Sequence, residues 1–466
     1  MVKNEEYTGT VCGLGTDGEG IINTEGVTVF VPYCLIGEEV RFKVLSVKGK
    51  IAYGKVLKVV SPSPDRVTPR CGVFEKCGGC SLQHMAYNAQ LAFKGKTVQN
   101  ALYKIGGIEY CVPPAKASPS PYAYRNKLAA PIGVLNGRDV IGFYAARSHR
   151  IVPFSSCAIQ QEWSQIAIDC TLSFMRTYGV RGYDEEKKEG ELRHLVARRI
   201  GGRYIVAVVS AKNVNLKPLA DMLEKALGEV TLLLNINNKP TNAIFGDKFI
   251  AVSGDGFFTA EDMDIKFRAG ANTFLQVNDG IRKELYLRIA EEAAEADAAI
   301  DLYSGGGMLT ALLARACGMA YGIEVVKEAS VCADELKELN GLQGKMFNIC
   351  GKVEDELYSV LAATEGKKRV IVCDPPRKGM ERSVVNAIKS SGAEKIILVS
   401  CNPATLARDL GLLTGTLKDI DGALVKCQLP LGYAANNGYK IECVQPYDMF
   451  PQTSAIETLV VLKRDN

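Results

Sequence analysis

The chain has 466 residues, which the usual length prior divides into about two to four domains. Apolar residues make up 47% and charged residues 23%, the balance of a globular chain and not of a disordered or fibrous one. The net charge of +4 does not by itself announce a nucleic-acid partner, no apolar run approaches the ~18 residues of a membrane span, and the opening MVKNEEYTGT lacks the apolar stretch of a secretory leader. A cytoplasmic location is therefore expected, with no membrane partner and no obligate protein partner.

Residues 1–62 read as short strands broken by Gly and acidic turns, which predicts a small β-barrel. Within them Arg41, Lys43, Lys48, Lys50, Lys55 and Lys58 alternate with apolar residues, and no acid intervenes. Such strands bury one face and present a basic one, either as plain solvated surface or towards phosphates. The stretch SPSPDRVTP then reads as a linker.

Cys71, Cys77 and Cys80 follow with C-x5-C-x2-C spacing, and His84 flanks them. Three thiols are too few for a closed site; Cys157, in VPFSSCAI, is the best fourth. A set of thiolates suits either zinc or an iron–sulfur cluster, and the spacing does not separate the two. Fifteen cysteines in a long chain without a leader point to metal binding or catalysis before disulfides, and most of the others read as small core residues.

Tyr87–Ile105 is predicted helical. From Tyr124 to Phe267 the pattern returns to strands and hairpins, with one helix near Leu216–Ala226, so residues 63–267 read as a central β-rich domain. From residue 268 onward, strand-like runs (AAIDLY, AYGIEVV, RVIVCDPP, KIILVSC) alternate with helical ones. That alternation predicts an α/β domain over 268–466 with a doubly wound parallel sheet.

The run AAIDLYSGGGMLTALLARACG is strand, Gly-rich turn and helix. Such a turn lets backbone approach a ligand at the carboxyl end of a first strand, and Gly305 lies within it. Glu324 stands 19 residues further on, the spacing at which an acid takes ribose hydroxyls in dinucleotide folds. The glycines do not follow G-x-G-x-x-G, and no phosphate-binding Lys-Ser/Thr comes after them. A nucleoside without phosphates fits better than NAD or ATP, which makes S-adenosyl-L-methionine (SAM) the candidate. Tyr303, Asp374 and Cys401 each end a predicted strand on the same edge.

Cys401 precedes Asn402, a good N-cap, and Pro403, which suits a first helical position. A thiol at a helix N-terminus has its thiolate favoured by the macrodipole, and the thiolate is the nucleophile. SAM and a nucleophilic thiolate together suggest methylation at uracil C5, where addition of sulfur at C6 turns C5 into an enolate carbon. The C5 proton must then go to a base. Glu457 lies in the apolar run AIETLVVL, where desolvation is expected to raise its pKa and suit it to that task.

FLQVN, DLYSGGG, DPPRKG, SCNPATLARDL and DMFPQT followed by Glu457 occur in the order seen in RNA 5-methyluridine methyltransferases, and across nearly the whole chain the sequence resembles that family. The resemblance implies a TRAM domain for residues 1–62, Cys401 as nucleophile and Glu457 as base. It implies that Gln276, Tyr303, Glu324 and Asp374 line the SAM and uracil sites, with Asp374 bonding the flipped base. It also implies a [4Fe–4S] cluster on Cys71, Cys77, Cys80 and Cys157, and an RNA substrate, 23S rRNA before tRNA. Three positions depart from the family pattern: Lys352 replaces an acid in GKVE, Met308 replaces a polar residue, and Ala455 stands where a His precedes the base. Phe274 is a candidate stacking aromatic, and Arg125 and Lys127 in AYRNK are candidate phosphate contacts. A tRNA uracil-C5 enzyme, a non-catalytic iron–sulfur RNA-binding protein and a cytosine-C5 enzyme are the competing expectations. The Cys-Asn-Pro order argues against the last of these.

Overall fold

The computed structural model describes residues 1–427 and 438–465. At the N-terminus, six strands form one sheet in the order Glu6–Thr10, Glu39–Lys48, Ile51–Ser61, Val27–Val31, Gly20–Thr24, Gly13–Leu14. Val29, Val31, Val40, Phe42, Val44 and Ala52 are buried on its inner face with Val11 and Ile22. One sheet that makes a core from its own inner face has to wrap around that core. The long hairpin of this sheet sets Arg41 opposite Lys58 and Lys43 opposite Lys55.

The central sheet has seven strands, in the order Lys248–Ser253, Val230–Ile236, Arg203–Ser210, Leu192–Ile200, Lys127–Leu135, Arg138–Tyr144, Ile151–Pro153. Its inner strands read as almost unbroken apolar runs because both faces are covered. Leu195, Ala197, Val206, Val208, Leu232 and Leu234 face the helices Glu162–Tyr178 and Lys217–Leu227. Their neighbours Val196, Ile205, Ala207, Val209 and Leu233 enter the core of the C-terminal α/β half. The sequence predicted a single helix here; the second, Glu162–Tyr178, is a correction. Its apolar stripe of Trp163, Ala167, Ile168, Thr171, Phe174 and Met175 has a helical period that is easily missed among flanking strands.

The C-terminal sheet also has seven strands: Met346–Cys350, Met319–Glu324, Ala298–Leu302, Arg369–Cys373, Lys395–Ser400, Glu457–Arg464, Tyr439–Tyr447. The first five are parallel, Glu457–Arg464 is antiparallel to both its neighbours, and Tyr439–Tyr447 runs in the direction of the five. This is the expected doubly wound α/β arrangement, with helices on both faces. The hairpin Phe257–Asp262 and Ile265–Gly270 packs Phe258, Ile265 and Phe267 against Leu285, Ile289 and Leu309, so one β-unit straddles residues 267 and 268. The helix Tyr87–Ala101, extended by a π turn at Leu102–Gly106, buries Val98 and Leu102 in the same half, beside Leu406, Ala407 and Leu410. No described helix is long and apolar enough to cross a membrane.

Candidate active site

The carboxyl edge of the parallel strands carries the predicted residues. After Leu302 the chain turns through Tyr303, whose φ of 66° is in the left-handed region, and through Gly305 and Gly307 at 56° and 81°. Gly307 caps the helix Met308–Ala316, and a Cβ there would come within 2.8 Å of Ala333 and Met346. At Gly305 and Gly306 nothing stands within 4 Å of where a Cβ would be, so bare backbone faces open space. Glu324 spans this turn: it accepts from the Gly305 N–H at 2.9 Å and from the Val326 N–H at 2.7 Å. Beneath the turn Asp301 is buried, accepts from the Thr310 hydroxyl at 2.6 Å, and is pushed up to about 7 by burial.

The catalytic candidates meet two strands away. Asn402 caps the helix Pro403–Thr414, its side chain accepting from the Ala404 N–H at 3.0 Å, with Pro403 in the first turn. Cys401 is half-buried just before that cap. The expectation of a favoured thiolate is corrected here. Burial pushes the Cys401 thiol up, and the Glu457 and Asp374 carboxylates push it further; the Arg377 guanidinium opposes them. At this corner burial is the largest influence on the thiol, ahead of either carboxylate.

Glu457 opens the strand Glu457–Arg464 and is 2% exposed. Burial holds its carboxyl well above the usual range, Asp374 adds to the shift and Arg377 counters it. Asp374 is itself pushed up to about 7 by burial. Cys401, Glu457, Asp374 and Arg377 therefore act on one another, as the sequence predicts for the first three. Arg377 was missed, although it lies within the quoted motif DPPRKG. Its carbonyl accepts from the side chains of Asn402 at 3.1 Å and Thr405 at 3.3 Å, which ties that loop to the helix after the thiol. Gly379 closes the loop at a φ of 77°, where a Cβ would lie 2.5 Å from the Arg408 guanidinium. Tyr286, on the helix Asp279–Ala293, was also missed. Its phenol is raised by burial, then by Asp374, and Asp301 and Glu457 raise it too. Only the period of its helix could have marked it.

Gln276 comes in on the neighbouring loop. The Asn126 amide donates to the Gln276 carbonyl at 3.0 Å and the Arg198 guanidinium to the Leu275 carbonyl at 2.9 Å. Asn278 donates to the Ser118 hydroxyl at 3.0 Å and accepts from the Ile281 N–H as the cap of the next helix. Phe274 is 74% exposed at the mouth of this loop. Arg125, Lys127 and Arg198 form a positive group behind it: burial lowers Lys127, and Arg198 and Arg125 lower it further. Of the departures, Lys352 is exposed at the cap of the helix Val353–Ala363, Met308 is core, and Ala455 acts through its backbone, its carbonyl accepting from Lys94 and its N–H donating to the Thr453 hydroxyl.

The cysteine loop has little regular structure. Among the described residues no group of three or more His, Cys, Asp or Glu is gathered for a single metal ion. Cys71, Cys77, Cys80 and Cys157 are nevertheless within electrostatic range of one another. Burial raises Cys77, Cys157 and, to about 12, Cys80, and charge from the other thiols raises each of them further. His84 does not join them. Its ring is buried between Tyr33 and Phe74, and neither nitrogen is hydrogen-bonded.

A doubly wound sheet with an open glycine turn, an acid beneath it and a thiol–carboxylate corner on the same edge defines a nucleoside-dependent transferase of the methyltransferase class. A family profile described as tRNA (Uracil-5-)-methyltransferase matches residues 360–432. An uncharacterised RNA methyltransferase of Halalkalibacterium halodurans is 38% identical over 100% of this chain and 98% of its own length. One from Clostridium tetani is 36% identical over 99% of this chain and 96% of its own. The chain belongs to the RNA 5-methyluridine methyltransferase family and is a SAM-dependent RNA methyltransferase. Its fold also matches that of the Pyrococcus abyssi tRNA (uracil-54, C5)-methyltransferase in complex with S-adenosyl-L-homocysteine, with a TM-score of 0.73 at 24% identity, over 98% of this chain and 99% of that one.

Proposed function

We propose that the protein forms 5-methyluridine in RNA, with 23S rRNA as the substrate, by covalent catalysis at Cys401. The observation that carries this reading is the pairing of Ser400 with Thr458, which sets Cys401 and Glu457 at one corner, next to the end of the strand Arg369–Cys373 that leads into Asp374. SAM supplies an electrophilic methyl group. Tyr303, Gly305 and Glu324 form the open turn proposed to take its nucleoside, and Gln276 is proposed to join them from the loop before the helix Asp279–Ala293. Asp374, largely protonated below about pH 7, can donate to a uracil carbonyl and hold the flipped base. The Cys401 thiolate adds to C6, and the C5=C6 electrons pass into an enolate whose C5 would take the methyl as the S–CH3 bond breaks and its electrons leave with sulfur as S-adenosyl-L-homocysteine. The Glu457 carboxylate then removes the C5 proton; the C–H electrons restore C5=C6 as the C6–S bond breaks and the thiolate leaves.

A [4Fe–4S] cluster is proposed on Cys71, Cys77, Cys80 and Cys157, since all four donors are thiols, the ligand set such a cluster takes. Such a cluster supplies a structural tie, since methyl transfer from a sulfonium is polar. Iron content and visible absorbance of anaerobic protein, lost in Cys77→Ser, test this assignment.

A second substrate reading is a tRNA uridine, the substrate named for the Pyrococcus abyssi fold relative. One experiment separates the two. Protein and SAM are incubated with 5-fluorouridine-containing 23S rRNA fragments or tRNA, because fluorine at C5 cannot leave as a proton. A denaturation-resistant complex with the rRNA, absent in Cys401→Ala, supports the proposal. A complex with tRNA alone reverses the substrate, and no complex with either removes the mechanism.

A further inference from the structure

Two buried polar residues lie one turn apart on the helix Tyr87–Ala101, far in sequence from the catalytic half. Gln90 is 1% exposed and Lys94 is 0% exposed. At a spacing of four they share one helix face, and both reach the segment Asp448–Ala455 that leads into Glu457. Lys94 donates to the Asp448 carboxylate at 2.5 Å, the Ala455 carbonyl at 2.8 Å and the Phe450 carbonyl at 3.1 Å. An ammonium has three donors, and all three are used.

Gln90 grips the same segment in the middle. It accepts from the Gln452 N–H at 3.1 Å and donates to the Gln452 side chain at 3.0 Å. Gln452 has a φ of 70°, a conformation a non-glycine residue holds only when its surroundings impose it. Its carbonyl accepts from the Ser81 and Leu82 N–H groups at 3.1 and 3.0 Å, and the Ser81 hydroxyl accepts from the Ser454 N–H at 3.1 Å. Ser81 directly follows Cys80.

On its other side Glu457 is fixed by strand pairing, with Tyr447 opposite it and Thr458 opposite Ser400. The chain before it has no ladder of its own until Tyr447, so the clamp, with the bonds of Tyr124 to the Pro451 carbonyl and of Asn278 to the Met449 carbonyl, sets where that chain enters the strand. A fully buried ammonium–carboxylate pair is a poor way to gain stability and a good way to specify one geometry.

We propose that Lys94, with Gln90, is a positioning residue for the general base: it fixes the entry of the Asp448–Ala455 segment so that the Glu457 carboxylate meets the C5 proton. This rests on the reading of Glu457 as the base. The clamp touches neither SAM nor uracil, and Cys401 lies on a different strand. Its loss should therefore spare addition of the thiolate and slow the elimination that follows.

The test uses full-length Lys94→Met, which keeps volume. Because that change strands the Asp448 carboxylate, Lys94→Met/Asp448→Leu and Gln90→Leu are measured beside it. Each folded variant is given 5-fluorouridine RNA, which reports addition and methyl transfer, and ordinary uridine RNA labelled at C5 with tritium, which reports proton release. The expected result is trapping within about twofold of wild type, tritium release slowed at least tenfold, and a methylated protein–RNA adduct that accumulates on ordinary RNA. Trapping and release that fall in parallel, or release that stays at the wild-type rate in the folded double variant, would overturn the proposal. If wild type traps no fluorinated RNA, the covalent mechanism itself fails, and that outcome is distinct from either of these.

Discussion

Thr458 pairs with Ser400 in the antiparallel junction between the last two functional strands, and this register sets each one's neighbour, Glu457 and Cys401, on the same corner. A shift of one residue would send the carboxylate to the opposite face of the sheet. The two chemical steps assigned to this corner are therefore separable by substitution. Cys401→Ala is expected to abolish both methylation and covalent trapping. Glu457→Gln is expected to slow turnover about 10²- to 10⁴-fold while a methylated adduct builds up on ordinary RNA, seen as a protein–RNA band that survives denaturation.

Turnover is expected to rise with pH towards neutrality and to fall above about 7, where Asp374 loses the proton it donates to the uracil carbonyl. The base works only when ionised, and burial with Asp374 beside it raises its pKa; the Cys401 thiol is raised as well. Asp374→Asn removes one repelling charge and should move the elimination step to lower pH, whereas Arg377→Ala removes the opposing charge and should move it higher. Stability gives the complementary sign. Asp374 has a folded pKa of about 7, above its unfolded value, so its contribution is complete in acid and is lost as pH rises through about 7. Asp374→Asn should then melt above wild type near pH ~8 and lose that advantage near pH ~4, read by thermal unfolding at both.

Gly379→Ala should damage the same corner from outside it. The residue sits at positive φ, and its Cβ would press on Arg408 and Asp409, whose hydrogen bonds with Met380 hold the loop that carries Arg377. A destabilisation of more than about 1 kcal/mol is expected, measured by denaturant unfolding, together with slower trapping of fluorinated RNA.

The hairpin of the N-terminal sheet holds Lys43 opposite Lys55, and Lys55 is exposed while Lys43 is partly so. Like charges face to face on a sheet are unfavourable unless a partner neutralises them. Lys43→Ala/Lys55→Ala should weaken RNA binding and flatten its log–log salt dependence by about 0.7 for each phosphate the variant no longer neutralises, with turnover at saturating RNA unchanged. A salt titration of RNA affinity measures the slope directly.

Much of this was legible in the sequence because it is local. The alternation of strands and helices after residue 268 is a pattern of neighbours, and so are the cap at Asn402 and the glycine turn after Tyr303. The thiol's titration was not legible, since it depends on Asp374 and Glu457, which come from other strands. Arg377 lay inside a motif already noted, but its role shows only when the corner is assembled. The helix Glu162–Tyr178 hid because the strands around it are buried on both faces, and so share its density of apolar residues. Lys94 gave no signal, as a lone lysine on a helix reads as surface until its partner 354 residues away is in place.

That separation has a consequence for how the protein is made. Synthesis at about 5 to 20 residues per second leaves Lys94 outside the ribosome for roughly 20 to 70 s before Asp448 emerges. For most of that time Val98 and Leu102 also lack the helix that will cover them. The first half of the chain cannot finish folding as it is translated: an early helix stays unclosed, its apolar stripe uncovered until Pro403–Thr414 arrives and its charge unpaired until Asp448 does.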